Sequence, residues 1–226
     1  MNFNQRQVER IVMSLDDRNA LIAAARSMGE LGINQGMAGN LSLRTEAGIL
    51  ITPSAIAYDE ITPEQIALLP AGGEYGGFIG PKRPSSEWRF HLDIMDARPE
   101  IGAIVHTHAP YATALSMARR EIPACHYMIA RFGGAPIRVA GYALFGTAEL
   151  SDQVVAALRG RTACLMANHG FVATGATLAD AMLAAVELEA LAKQYVISLT
   201  IGGPVLLAER EVGAAIRQFS IAYTAN

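Results

Sequence analysis

Cysteine is scarce in this chain: two in 226 residues, Cys125 and Cys164, far apart and outside any metal-like spacing. No disulfide framework follows, which is the pattern of a cytoplasmic protein. Charge is scarce as well. Charged residues make up 17% of the chain, the net charge is −3, and the one dense cationic spot is Lys82-Arg83 with Arg89 nearby. Sequence-independent nucleic-acid binding needs more positive charge than that, so no nucleic-acid partner is expected. No apolar run approaches the roughly 18 residues that a membrane-spanning helix needs, so no membrane role is expected either. The N-terminus, MNFNQRQVER, is too polar for a signal peptide. What the chain has instead is apolar content, 51% hydrophobic residues. That composition argues against disorder and for one large core, a single domain over 1–226. The low charge fraction also points to a buried subunit surface.

The order of elements reads as mixed strands and helices. Residues 5–31 carry a helical stripe of Val8, Ile11, Val12 and Leu15, then Leu21, Ile22, Ala25 and Met28. GMAGN (36–40) reads as a tight loop. LSLR and ILITP read as strands around a Glu46-Ala47-Gly48 turn. Thr62-Pro63-Glu64-Gln65 carries the signature of a helix start, and 71–80 is Gly-rich, a loop or loosely paired strands. Ser85 or Ser86 would cap an amphipathic helix from about Glu87 to Ala97. GAIVHTH, IPACHYMI, IRVA, TACLMANHG and GFVATG read as strands. Helices follow Pro110, Thr147 and Thr177, and a last one covers about 207–219. The absence of regular βαβ alternation, together with hairpin-like connections, predicts one α/β domain with a mixed, largely antiparallel sheet covered by helices.

Three of the five histidines stand in a pattern. His106 and His108 lie two apart in IVHTHAP, so a strand would turn both imidazoles to one face. His169, in ANHGF after an apolar strand, would supply a third. Three histidines and one open position form the ligand set of a catalytic zinc. Glu87, in PSSEWRFH, is either a carboxylate at a helix N-terminus, a further ligand, or a general base. His91 and His126 are expected to be structural or to support the site from behind. GMAGN, including Gly39 and Asn40, exposes backbone N–H groups that suit an anion. With Ser54 in ITPSA, and with Ser85 and Ser86 at a helix N-terminus, these residues could form a phosphate pocket.

These motifs together resemble the class II aldolase/adducin family. The resemblance runs from LGINQGMAGNLSLR through LITPSAIAYDEI, PSSEWRFH, VHTHAP, IPACHYMIA and FGTAELS to NHG, nearly the whole chain. It implies a mixed, mainly antiparallel sheet between helix layers, and a homotetramer with active sites at subunit interfaces. It implies Zn2+ held by His106, His108 and His169, with Glu87 as a displaceable fourth ligand and the catalytic base. Phosphate would sit on Gly39, Asn40, Ser54, Ser85 and Ser86. Tyr127 from a neighbouring subunit would be a catalytic acid, and Phe145 would line the aldehyde side. The implied reaction cleaves a small phosphorylated sugar to dihydroxyacetone phosphate and an aldehyde such as lactaldehyde. The sugar would be L-fuculose 1-phosphate or a 5-deoxy or 5-methylthio ribulose 1-phosphate. Pentose-phosphate 4-epimerases and a methylthioribulose-phosphate dehydratase share the family, as does the non-catalytic adducin head. Glu87, where the epimerases carry Asp, favours the aldolase, and the presence of all four metal-site residues argues against a binding module. Ala55, Arg131 and the short tail after Phe219 depart from the fuculose-cleaving pattern.

Overall fold

The computed structural model describes residues 15–224. Its centre is a seven-stranded sheet in the order β3-β2-β1-β4-β7-β6-β5. The strands are β1 (Gly39–Thr45), β2 (Gly48–Ile51), β3 (Ala67–Pro70), β4 (Ala103–Thr107), β5 (Val139–Ala140), β6 (Ala163–Met166) and β7 (Gly170–Gly175). Every neighbouring pair is antiparallel except β5–β6. This is the mixed, mainly antiparallel α/β arrangement that the hairpin-like connections predict.

Side-chain alternation makes two cores, one on each face of the sheet. One face presents Leu41, Val105, Leu165, Phe171 and Ala173 to helices α1 (Leu15–Glu30), α3 (Pro110–Met117) and α5 (Leu178–Thr200). The other presents Ile51, Ile104, Cys164, Met166 and Val172 to α2 (Trp88–Ala97) and α4 (Ala148–Ala157). A further helix, α6 (Glu209–Thr224), follows α5. No helix of the described residues is long and apolar enough to cross a membrane.

Local chemistry sets the element ends. Thr177 and Asp180 form a reciprocal cap on α5, with N–H···O distances of 3.1 and 3.2 Å. The Thr147 hydroxyl caps α4 by accepting from Leu150 N–H. In α1, Leu21, Ile22, Ala25 and Met28 are buried as the stripe predicts, and Gly32 ends it in the left-handed region. Leu15 is exposed, and Val8, Ile11 and Val12 lie outside the described residues.

Four local expectations are corrected. Thr62–Gln65 makes one 3-10 turn, with Thr62 N–H donating to Gln65 Oε1 at 3.0 Å, and the chain then enters β3 instead of a helix. The N-cap of α2 is Glu87, not Ser85 or Ser86. The Ser85 hydroxyl instead accepts from the Glu87 N–H at 3.3 Å, one step upstream. IPACHYMI is not a strand: Ile122 alone bridges to Ile137, and Tyr127–Phe132 coils into a 3-10 segment ended by Gly133. His126 is the N-cap of that segment, accepting from Met128 N–H, and its ring centroid lies 4.8 Å from that of Tyr127. The last residues of GMAGN, Gly39 and Asn40, open β1.

Glu189 interrupts the apolar surface of α5, and the fold gives the reason. Its buried carboxylate accepts from the backbone N–H groups of Tyr111 and Ala112 at 2.8 and 2.9 Å. It thereby caps the N-terminus of α3, whose first residue, Pro110, lies two past His108. Burial raises the Glu189 carboxyl, opposed by these two N–H donors. Glu189→Ala leaves both donors without a partner. A loss of about 1–3 kcal/mol in urea unfolding is expected, with lower divalent-metal affinity because the His108 segment loosens.

Candidate metal centre

Antiparallel pairing brings the start of β1, the end of β4, and the β6–β7 turn to one end of the sheet. Asn40 lies opposite His106, and His106 opposite Val172. His106 shares its sheet face with Ile104 and is fully buried. Its ring stands edge-on to Phe90 of α2 at 5.5 Å. His108 falls one residue past β4, and its ring centroid is 5.0 Å from that of His106.

His169 sits in the β6–β7 turn, which Asn168 makes with φ +55°. Arg119 Nε holds the Asn168 side chain at 3.1 Å, and Asn168 N–H donates to Ser116 O at 3.1 Å. The next residue must be glycine. A Cβ on Gly170 would stand 2.4 Å from Thr107 O and 2.7 Å from His108 Cδ2.

The three imidazoles meet at nearly right angles, with interplanar angles of 73–76°. One ring nitrogen of each lies within 4.8 Å of the others. His106 Nε2 and His108 Nε2 are 3.2 Å apart. Two nitrogens on a tetrahedral zinc stand about 3.3 Å apart, given bonds of roughly 2.0–2.1 Å. His106 Nδ1 donates to the Phe171 carbonyl at 2.9 Å, which fixes the tautomer and leaves the Nε2 lone pair facing the centre.

Glu87 closes the fourth side. Its Oε2 is 3.1 Å from His106 Nε2, and its Oε1 is 3.3 Å from His169 Nε2. Oε1 is buried with no hydrogen-bond partner among the described residues. Lone pairs on carboxylate and imidazole therefore confront one another. A single proton satisfies only one of these contacts, whereas a divalent cation satisfies all of them. The donor set fits such an ion.

Electrostatics agree. Burial acts against charge on all three histidines and on His91. It lowers His108 and His169 to about 4, aided by His106, and His91 to about 3. These rings are neutral near pH 7, the form that ligates metal. Burial opposes charge on His106 too, but the Glu87 carboxylate and the Phe171 carbonyl outweigh it and raise that ring. For Glu87, burial is outweighed by His106, His169 and the Asn40 amide, which hold the carboxyl far below the usual range.

A cavity of about 240 Å³ opens beside this cluster. Its walls bring Gly39, Asn40, Ser54, Ser85, Ser86 and Phe145 together with Glu87, His108 and His169. The two serine loops are pinned side by side: Ser54 N–H donates to Arg83 O and Ser85 N–H to Thr52 O. Gly39 is at φ +137°, and a Cβ there would stand 2.9 Å from His106 O. Ala55 holds φ +57°, a left-handed conformation costing a non-glycine residue about 1–2 kcal/mol. Tyr127 is not among the residues lining this cavity. It is 55% exposed and lies against Phe219, with ring centroids 6.2 Å apart.

Several neighbours of the site escape a motif search. Tyr58 OH donates to Gly39 O at 2.8 Å and steadies the loop. Thr107, on the opposite sheet face from His106, bonds Ile33 O. Ser42 and His91 are linked to Glu87 through Asn40. Their sequence signals were the i, i+2 spacing of Asn40 and Ser42 on one strand, and the i, i+4 spacing of Glu87 and His91.

The profile of the class II aldolase and adducin N-terminal domain matches residues 19–196. The chain belongs to the class II aldolase and adducin family. It is 50% identical over 202 residues to the 5-methylthioribulose-1-phosphate/5-deoxyribulose-1-phosphate aldolase of Rhodospirillum rubrum, covering 89% of this chain and 90% of that one. It is 43% identical over 200 residues to the L-fuculose phosphate aldolase of Escherichia coli K12, covering 88% and 92%. A solved L-fuculose 1-phosphate aldolase superposes with a TM-score of 0.86 at 37% identity, covering 91% of this chain and 96% of that one. Members of the family with these names are aldolases, and this chain is an enzyme of the same class, an aldehyde-lyase.

Proposed function

We propose that this chain is a zinc-dependent aldolase cleaving a ketose 1-phosphate reversibly to dihydroxyacetone phosphate and an aldehyde. The preferred substrate is 5-methylthioribulose 1-phosphate or 5-deoxyribulose 1-phosphate, with L-fuculose 1-phosphate as the related sugar. One observation carries the reading: three imidazoles and an unpartnered Glu87 oxygen converge beside a cavity lined by Gly39, Asn40, Ser54, Ser85 and Ser86. The half-identity to an aldolase of those two pentulose phosphates supports the choice of sugar.

His106, His108 and His169 would hold the ion, with Glu87 as the ligand that leaves. A divalent ion there supplies positive charge next to the substrate oxygens on which negative charge grows as the carbon–carbon bond breaks. Ser54, Ser85, Ser86, Gly39 and Asn40 hold the phosphate, the serines acting as hydroxyl donors and the loops through N–H groups. Glu87 lies between that pocket and the histidines. It carries the proton to or from the carbon that was bonded to the aldehyde. Tyr127, 55% exposed on its own protomer, reaches a neighbouring site in a homotetramer, takes the proton from the hydroxyl that becomes the aldehyde oxygen during cleavage, and returns it in the reverse condensation. Phe145, also exposed and at the cavity wall, packs against the aldehyde tail. The domain is proposed to span 1–226 and to work in the cytoplasm.

A panel of ketose 1-phosphates, assayed for dihydroxyacetone phosphate release, tests this reading. The two ribulose derivatives are expected to turn over with higher kcat/KM than L-fuculose 1-phosphate. Release from none of the three sinks it.

A further inference from the structure

Glu87 is tied at its back to a buried chain of three side chains. Ser42 Oγ lies 2.7 Å from His91 Nδ1, His91 Nε2 lies 2.5 Å from Asn40 Oδ1, and Asn40 Nδ2 donates to Glu87 Oε2 at 3.0 Å. Ser42, Asn40, His91 and Glu87 are all buried. Strand alternation puts Asn40 and Ser42 on the same face of β1, and His91 of α2 fills the gap between them.

The direction of every bond in this chain is forced. Glu87 is an ionised carboxylate and only accepts, so the Asn40 amide must turn its NH2 toward it. The Asn40 carbonyl oxygen then faces His91 and only accepts, so His91 Nε2 carries the proton. In a neutral ring Nδ1 is then bare, and the Ser42 hydroxyl donates to it. Reversing any one member leaves two acceptors or two donors face to face in a site closed to water, at the cost of an unmade buried hydrogen bond.

The chain also makes the two oxygens of Glu87 unequal. Oε2 receives the Asn40 amide and lies against His106, whereas Oε1 has no hydrogen-bond partner among the described residues. We propose that Ser42, His91 and Asn40 form a positioning relay that holds Glu87 by Oε2 as it leaves the ion, so that Oε1 is the oxygen that exchanges the proton with substrate. This rests on the reading of Glu87 as the group that moves that proton. His91 touches no substrate; it acts through Asn40.

Two measurements on the full chain loaded with zinc test the relay. Long-range proton–nitrogen correlation spectroscopy reads the tautomer of each imidazole. It is expected to show His91 neutral with its proton on Nε2; a proton on Nδ1, or on both nitrogens, overturns the proposal. In the second, solvent exchange of the dihydroxyacetone phosphate C–H is followed in His91→Leu and His91→Gln. His91→Leu is expected to keep its metal and its KM while exchange slows about 10–100-fold, the usual effect of losing a supporting partner behind a ligand. His91→Gln, whose amide can still donate to Asn40 Oδ1, is expected to recover part of the rate. Wild-type exchange in His91→Leu overturns the relay, as does loss of rate and KM together with no recovery in His91→Gln. Ser42→Ala, a smaller change, is expected to shift the rate in the same direction if His91→Leu fails to fold. Failure of the underlying reading looks different: Glu87→Gln then exchanges like wild type while His91 keeps its Nε2–H tautomer.

Discussion

His106→Ala is expected to bind no divalent metal at micromolar concentrations and to lose at least about a thousandfold in cleavage rate. The magnitude follows from the several kcal/mol of charge stabilisation that a bound cation supplies, at tenfold per about 1.4 kcal/mol. His106 is the central member of the cluster. It is fully buried, it lies 3.1 Å from Glu87 Oε2 and 3.2 Å from His108 Nε2, and its other nitrogen is fixed to Phe171 O. Removing it leaves His108 and His169 with too few partners to hold the ion, and leaves Glu87 Oε2 without the ring that stands 3.1 Å from it. The fold itself should survive. The ladder of β4 is backbone-bonded on both sides, and the lost donor to Phe171 O costs about 1–3 kcal/mol. Metal content by mass spectrometry, read beside a thermal melt, separates loss of the ion from loss of the fold. A folded variant that keeps its metal and its rate would remove His106 from the site.

Glu87→Gln is expected to keep the metal and slow both cleavage and C–H exchange by about 10²–10⁴-fold, the usual worth of a positioned general base. Shape is conserved in this variant. The glutamine oxygen can still accept from Asn40, and its NH2 takes the place of Oε1 with almost no change in volume. What is lost is a group that can take a proton. A carboxylate that acts only as a fourth ligand predicts the opposite split, in which metal is lost and exchange per bound metal is unchanged. Measuring exchange and metal content on the same preparation distinguishes the two roles.

The cluster was legible in the sequence because two local rules suffice to find most of it. Period-2 alternation carries His106 and His108 to one side, and NHG after an apolar strand puts His169 in a turn at a strand end. The serines were legible as loop residues near a helix start, although the cap they were expected to supply belongs to Glu87. Long-range pairing hides the rest. Asn40 reads as a residue of the phosphate loop until the β1–β4 register sets it opposite His106, with its amide on Glu87. Glu189 reads as a flaw in an apolar helix until the N-terminus of α3 is seen to be capped by it. IPACHYMI has strand-like composition, but beyond the single Ile122–Ile137 bridge it has no ladder partner among the described residues. Pro123 and the Gly133-Gly134 pair bracket a 3-10 segment instead, so tertiary context overrides propensity there.

The central claim is that these four side chains form a metal site on which ketose 1-phosphate cleavage depends. The most direct test follows dihydroxyacetone phosphate released from 5-deoxyribulose 1-phosphate by purified protein, by protein stripped with a chelator, and by stripped protein given zinc. The account predicts release, then none above background, then recovery at one zinc per chain. Full activity in protein shown to be metal-free would contradict it.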